Sequence, residues 1–319
     1  MLDANDFCKK IVMIVFPNRG DYIHILNDNI VVKDKNDKVK CQSTCYRLLA
    51  VFIVGHTVIS TGLIDRARKF GFSISLFSSG MKPIEVIGSR KDSNTLLHRM
   101  QYSYESLEIA QHIVENKIRN QRSALNKQRN KSPELKTAIA LLDSYAEHVY
   151  ECTTLADIMG YEGMASKTYF SFHFSDINWI GRKPRIKPDI VNSILDIGYT
   201  ILFSYIDVLL NIYGFDTYCG VLHREFYMRK SLACDIIEPF RPLIDWHVKK
   251  CLHLKQMQEE DFENFNGRRE LKFKKNPEYL SLLMTPILER RKEIFKYIQS
   301  YYRAFMRQKP IKEYPIFSF

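Results

Sequence analysis

A histidine and two acidic residues fall together in the stretch Gly214 to His247, GFDTYCGVLHREFYMRKSLACDIIEPFRPLIDWH. Ser231 is a favourable helix N-cap ahead of Leu232, Ala233, Ile236 and Ile237, so Asp235 and Glu238 are expected to project from one helical face. Two carboxylates on an apolar-flanked helix need something positive between them. His223, beyond a Tyr- and Gly-containing loop, has the reach to bring an imidazole nitrogen to the same point. A mixed nitrogen and carboxylate cluster suits Mn²⁺ or Mg²⁺ with open positions for phosphate oxygens and water. The same spacing equally serves a salt-bridged helix face, with Arg229, Lys230 and Arg241 close in sequence.

The elements that must position these groups divide in two, as 319 residues exceed what one small core usually holds. From Ile11 to Gly88 short β-type runs alternate with turn signals: IVMIVF, DYIHIL, an Asn27-Asp28-Asn29 turn, NIVVKD, the continuous apolar run LLAVFIV, FSISLF and PIEVIG. One helix interrupts them, capped by Ser60 or Thr61 and stopped by Gly71. The polar residues 89–94 then read as a linker, and from Thr95 to about Arg307 strand signals nearly vanish in favour of amphipathic helical runs. The expected fold is α+β: a β-rich N-terminal domain (1–88), a linker (89–94) and a larger all-α domain (95–319).

Lys and Arg outnumber Asp and Glu 47 to 36, a net charge of +11 that points to a polyanion, nucleic acid first. Three segments carry much of it. Lys117, Arg119, Arg122, Lys127, Arg129 and Lys131 lie along one helix and its turn; Arg182, Lys183, Arg185 and Lys187 crowd a Pro-containing loop; Arg268, Arg269, Lys272, Lys274 and Lys275 form the third. Such segments suit phosphate contacts, and each is also what a solvated helix face looks like. Seven scattered cysteines with no signal peptide read as reduced thiols of a cytoplasmic protein, and Cys41 with Cys45 lacks the second pair a zinc site needs. The most apolar segments, Leu48 to Val54 and Tyr199 to Phe215, are too short or carry Asp207 and Asn211, so no membrane span is expected. An RNA-binding module is disfavoured by the lack of an aromatic strand motif.

A further acidic residue stands in TLADIMGYEGMASKTYFSFHF, Thr154 to Phe174. Thr154 is placed to cap a short helical turn, Ala165, Tyr169 and Phe172 continue inward-facing at helical spacing, and Glu162 lies between Gly160 and Gly163, where small neighbours admit a close approach. In order and spacing, DIMGYEGMASKTYF, GRKPRIKPDIVNSILDIGYTIL, GFDTYCGVLHRE and SLACDIIEPFRPLID resemble the diagnostic blocks of the CRISPR-associated spacer integrase family. VVKDKNDKVKC, IVGHTVISTGLIDRARKFGFSISLF and NTLLHRMQY extend the resemblance over nearly the whole chain.

The resemblance implies metal ligation by Glu162, His223 and Glu238, where the family more often has Asp at the last position, with Asp235 assisting the site. His223 is alternatively a proton carrier for the leaving hydroxyl. His56 stands where the family more often has Asn, and it and the remaining histidines are read as structural. The implied reaction is metal-dependent phosphoryl transfer on double-stranded DNA, in which the 3′-hydroxyl of an incoming fragment attacks a phosphodiester at the edge of the CRISPR repeat. Arg119, Arg122, Lys127, Arg129, Arg182, Lys183, Arg185, Lys187 and Arg241 are the candidate DNA contacts. The implied assembly is a homodimer built through the β-rich domains, two such dimers being bridged by a small ferredoxin-like adaptation subunit. Two other functions stay open at this level: a metal-dependent nuclease of branched or single-stranded DNA, and a catalytically silent architectural DNA-binding subunit. The tail KEYPIFSF is expected to fold back on its own helices rather than dock on a partner.

Overall fold

In a computed structural model, the chain is described over residues 4–88, 94–177, 179–223 and 227–319. The N-terminal region is built as its patterning demands. After a short helix α1 (Ala4–Cys8) come β1 (Ile11–Val15), β2 (Tyr22–Leu26), β3 (Asn29–Lys33), β4 (Val39–Thr44), β5 (Leu48–Val54), α2 (Thr61–Phe70), β6 (Ser73–Phe77) and β7 (Pro83–Gly88). The continuous apolar run LLAVFIV is β5, buried at every residue because it is central and parallel to both neighbours in the order β1-β5-β6-β7. Asn27 and Asp28 both take positive φ (48° and 58°), closing the two-residue β2–β3 hairpin with the twist such turns require. Ser60 Oγ accepts from Leu63 N at the start of α2, and Gly71, at φ 71°, ends it.

Alternation along β5 sends Val51 and Ile53 into a core shared with the second sheet β2-β3-β4 and α2, and an irregularity in the β1 pairing between Leu48 and Ala50 lets Leu48 join them. Ala50, Phe52 and Val54 enter a larger core that continues into the helices. One apolar cluster thus crosses from strand to helix.

Of the proposed linker, residues 89–93 lie outside the described residues, and Asn94 caps the next helix by accepting from Leu97 N. The helical region runs α3 (Thr95–Tyr102), α4 (Glu108–Asn126), α5 (Pro133–His148), α6 (Leu155–His173), α7 (Ile190–Tyr213), α8 (Ser231–Ile236) and α9 (Arg241–His253). A hairpin β8 (Phe262–Phe265) and β9 (Arg268–Leu271) precedes α10 (Asn276–Glu289) and α11 (Arg291–Met306). The hairpin corrects the expectation of a wholly helical region: Asn266 and Gly267 (φ 50° and 79°) make the turn, and the third basic segment begins on its second strand. α7 is 24 residues long and apolar enough by length and composition to cross a membrane, but 83% of that span is buried in the core. α4, α5 and α6 pack round a second cluster that includes Ile118, Leu142, Ala165 and Tyr169.

The segment after α11 folds back. Phe317 is buried, and its backbone is gripped from α4: Asn116 Nδ2 donates to Phe317 O (2.8 Å), Phe317 N donates to Asn116 Oδ1 (2.9 Å), and Asn120 Nδ2 donates to the same carbonyl (2.9 Å).

Candidate active site

Thr154 caps not a short turn but the whole of α6, one 19-residue helix on which Glu162 lies midway. Gly160 and Gly163 are exposed, and a methyl group added at either would meet, among the described residues, no atom within 4 Å beyond its own stretch of helix. The acidic pair is also arranged otherwise than expected. Ser231 is the first residue of α8 rather than its cap, and the helix stops at Ile236. Pro239 disfavours α-helical backbone at the residue before it, so Glu238 opens a separate 3₁₀ turn, Glu238–Phe240. Asp235 and Glu238 therefore face different partners.

Asp235 is wholly buried and its carboxylate is fully engaged. Oδ2 accepts from Val221 N (2.7 Å) and Leu222 N (2.9 Å), while Oδ1 accepts from His223 N (3.2 Å) and His223 Nδ1 (2.6 Å). A carboxylate cannot donate, so Nδ1 carries the proton and the lone pair is left on Nε2, the usual way an imidazole ligand is oriented. The arrangement needs a glycine at 220: a Cβ there would lie 2.8 Å from Asp235 Oδ2 and 2.7 Å from Ser231 Cβ.

Glu238 sits between two cations. Its Oε1 is 3.0 Å from Arg241 Nε and its Oε2 is 2.6 Å from Lys117 Nζ. Lys117, buried on α4, is also ion-paired to Glu162, which in turn accepts from Ser166 Oγ (3.0 Å). Burial works to raise the Glu238 pKa, but Arg241 and Lys117 outweigh it and hold it down at about 2. Burial likewise opposes the charge on Lys117, and Glu162 and Glu238 hold its pKa above the ordinary lysine value. Asp245 behaves oppositely: burial pushes its carboxyl up to about 7 despite the hydrogen bond donated by Tyr199 OH and the nearby charges of Arg241 and Arg182.

Glu162, His223 and Glu238 line one cavity of about 620 Å³, together with Lys117, Arg182, Lys187, Arg241 and Asp245. The sequence-predicted groups from α6, the 214–230 loop and the α8–α9 junction are thus brought to one place. Among the described residues no three acidic, histidine or cysteine side chains are close enough together to hold an ion as they stand, because the Lys117 ammonium occupies the space between the two glutamates. The donor set fits a divalent cation nonetheless: two carboxylates, an imidazole with its lone pair set by Asp235, and a buried Glu238 Oε2 with an ion pair but no well-directed hydrogen bond.

Of the basic candidates, Arg182 and Lys187 reach the cavity, each paired to Asp196. Lys183 and Arg185 are exposed on the same loop. Arg241 is mostly buried and lies over the Tyr199 ring at 4.5 Å. On α4, Arg119 pairs with Glu115 and Arg122 with Asp143 (3.1 Å); beyond its end Lys127 rests over the Phe319 ring (3.9 Å) and Arg129 is exposed. Sequence reasoning put Lys117 among these surface cations and left Asp245 and Ser166 unremarked. Lys117 carried a signal, for it falls among Ile113, Val114 and Ile118 on the apolar side of its helix.

Known structures share this architecture. A Cas6-RT-Cas1–Cas2 complex superposes with a TM-score of 0.82 at 21% identity over 97% of this chain, which corresponds to 36% of that longer chain. A casposase bound to integration product gives 0.78 at 17% identity, covering 97% of this chain and 95% of the other. Among curated proteins, the CRISPR-associated endonuclease Cas1 1 of Francisella tularensis subsp. novicida is 29% identical over 238 residues, 72% of this chain and 74% of its own. The class is that of the CRISPR-associated proteins. The chain belongs to the CRISPR associated protein Cas1 family, whose model matches residues 14–283.

Proposed function

We propose that the chain is a metal-dependent DNA integrase and endonuclease of CRISPR adaptation, joining the 3′-OH ends of short DNA fragments to the CRISPR repeat by transesterification. The observation that carries this reading is the convergence of Glu162, Glu238 and the Asp235-braced His223 on one cavity lined with Arg182, Lys187 and Arg241. Glu162, Glu238 and His223 Nε2 would hold Mg²⁺ or Mn²⁺. Such an ion, when bound, polarises the phosphoryl oxygen and offsets the charge of the transition state.

The chain's own groups orient and stabilise the reactants. In the transfer, the 3′-oxygen of the fragment bonds to a phosphorus of the repeat, the bond from that phosphorus to its own 3′-oxygen breaks, and the released oxygen takes up a proton. One phosphodiester replaces another, so no energy source is needed. Arg182 and Arg241, 5.4 Å and 4.5 Å from the Tyr199 ring, offer their charge to the phosphate. Lys183 and Arg185 carry the DNA path outward from the cavity, and Arg119, Arg122, Lys127 and Arg129 extend it along α4.

The Cas1–Cas2 composition of the matching complexes supports a small adaptation subunit as partner. The β2-β3-β4 sheet has two open edges and exposes Tyr22, Leu26 and Val39, which suits pairing of two copies through this region. The test is a strand-transfer assay with a supercoiled repeat-bearing plasmid and a labelled duplex, in Mn²⁺ or EDTA, with the small subunit added. Wild type should join the duplex only with metal; Glu162→Gln and His223→Ala should bind DNA and not join it. Joining by Glu162→Gln at the wild-type rate refutes the site, cutting without joining makes the protein a nuclease, and binding with neither leaves an architectural subunit.

A further inference from the structure

A lysine fills the gap between the two glutamates that the metal-dependent reading assigns to the cation. Lys117 reaches it from the apolar side of α4 with its side chain 6% exposed, ion-paired to Glu162 and 2.6 Å from Glu238 Oε2. The formal charges close: Glu162 and Glu238 contribute two negatives, Lys117 and Arg241 two positives, and the cluster is neutral without a metal. Buried carboxylates left without a counter-charge would destabilise the site, so some cation must be present even when no metal is.

We propose that Lys117 is a built-in placeholder for the divalent cation. Its ammonium holds Glu162 and Glu238 in position in the metal-free protein and withdraws from them when the metal enters. This rests on the metal-dependent reading of the same site. A receiving group is already in place: Gln121, one turn further along α4 and lining the same cavity, has a buried Oε1 with no hydrogen-bond partner among the described residues. Its Nε2 donates to Ser166 Oγ, which donates to Glu162, so the acceptor is held in fixed relation to the carboxylate the lysine leaves. With the Asp235 carboxylate behind His223 counted as well, a divalent ion leaves the site net positive, which DNA phosphate oxygens then match. Metal binding is therefore weak in the free protein and strengthened by the substrate's own charge.

Mn²⁺ binding to the full chain, read from the loss of the free-ion electron paramagnetic resonance signal, tests this without any turnover. Lys117→Gln, which removes the competing charge and keeps hydrogen-bonding capacity, should bind Mn²⁺ at least tenfold more tightly than wild type. Lys117→Arg should keep the weak binding, and Glu162→Gln should lose it. Gln121→Leu removes the receiving acceptor together with the bond Nε2 donates to Ser166, and should weaken Mn²⁺ binding at least threefold relative to Ser166→Ala, which removes that relay alone. If Lys117→Gln binds no more tightly than wild type while Glu162→Gln loses binding, the placeholder is overturned and the metal site stands. If Glu162→Gln leaves binding unchanged, the metal site itself is wrong. Should Lys117→Gln fail to fold even with Mn²⁺ present, Gln121→Leu decides: affinity equal to that of Ser166→Ala overturns the proposal and weaker affinity supports it.

Discussion

Replacing Asp245 by Asn should remove a contribution that costs the protein roughly 3 kcal/mol of stability between pH 5 and pH 8. Asp245 is 1% exposed, and burial lifts its pKa to about 7 against an ordinary 3.8. A carboxyl whose folded pKa is raised contributes stability that is fully present below the unfolded value and is lost as pH rises through the folded one. Each tenfold change in proton affinity is worth about 1.4 kcal/mol, so the whole effect is about 4 kcal/mol, of which roughly 3 kcal/mol falls between pH 5 and pH 8. Glu238 works in the opposite window. Its pKa, held down at about 2 against 4.5, gives stability present above pH 4.5 and lost as pH falls through about 2. Wild type therefore has an acid limb from Glu238 and a descending limb from Asp245, the latter opposed up to pH 6.5 by His173, whose burial holds its pKa down at about 3 so that stability from it rises with pH. Urea unfolding of both proteins at pH 5, 6, 7 and 8 isolates the descending limb by difference. Asp245→Asn, which cannot ionise and can still accept from Tyr199, should lose that limb, its profile gaining roughly 3 kcal/mol on the wild-type one from pH 5 to pH 8. Parallel profiles for the two proteins would show Asp245 ionised throughout and refute the reasoning.

Other perturbations give outcomes of different kinds. Gly163→Ala should raise stability by about 1 kcal/mol, since a methyl at this exposed helical position meets nothing beyond its own helix among the described residues, and should weaken DNA binding if the space serves a phosphate; a melting curve and a binding titration report the two signs separately. Gly220→Ala should cut strand transfer at least a hundredfold with DNA binding within twofold of wild type, because the new methyl displaces Asp235 from His223. Phe317→Ala should cost about 3 kcal/mol in urea unfolding, as expected for a buried aromatic removed from against Phe240.

Much of the N-terminal region was legible because its signals are local. The alternation of DYIHIL and NIVVKD about an Asn-Asp turn, and the Ser60 cap with its Gly71 stop, each report one element without reference to the rest. β4 and the β8–β9 hairpin were less visible, the latter because FENF and RREL alternate weakly and their charge drew attention first; the Asn266-Gly267 pair was the available cue. At the site, the residue types near Glu162, His223 and Glu238 could be read, and the partners of each could not. Whether Lys117 points to solvent or between two glutamates depends on α6 and the 238–240 turn arriving from 45 and 121 residues further along the chain. Pro239 was in plain view, yet its consequence, that Asp235 and Glu238 part company, needed the backbone itself.

The grip of Asn116 and Asn120 on Phe317 joins residues about 200 positions apart, and it flanks the lysine at the centre of the site. At ribosomal speeds of about 5 to 20 residues per second, α4 emerges some 10 to 40 seconds before the C-terminal segment it must grip. During that interval neither asparagine has the Phe317 backbone to bind, and Asn120 has only the Pro239 carbonyl once that residue is made. The helix that carries Lys117 is thus locked in place only late in synthesis, so a nascent chain interrupted before residue 315 would hold the residues of the candidate site without their fixed geometry.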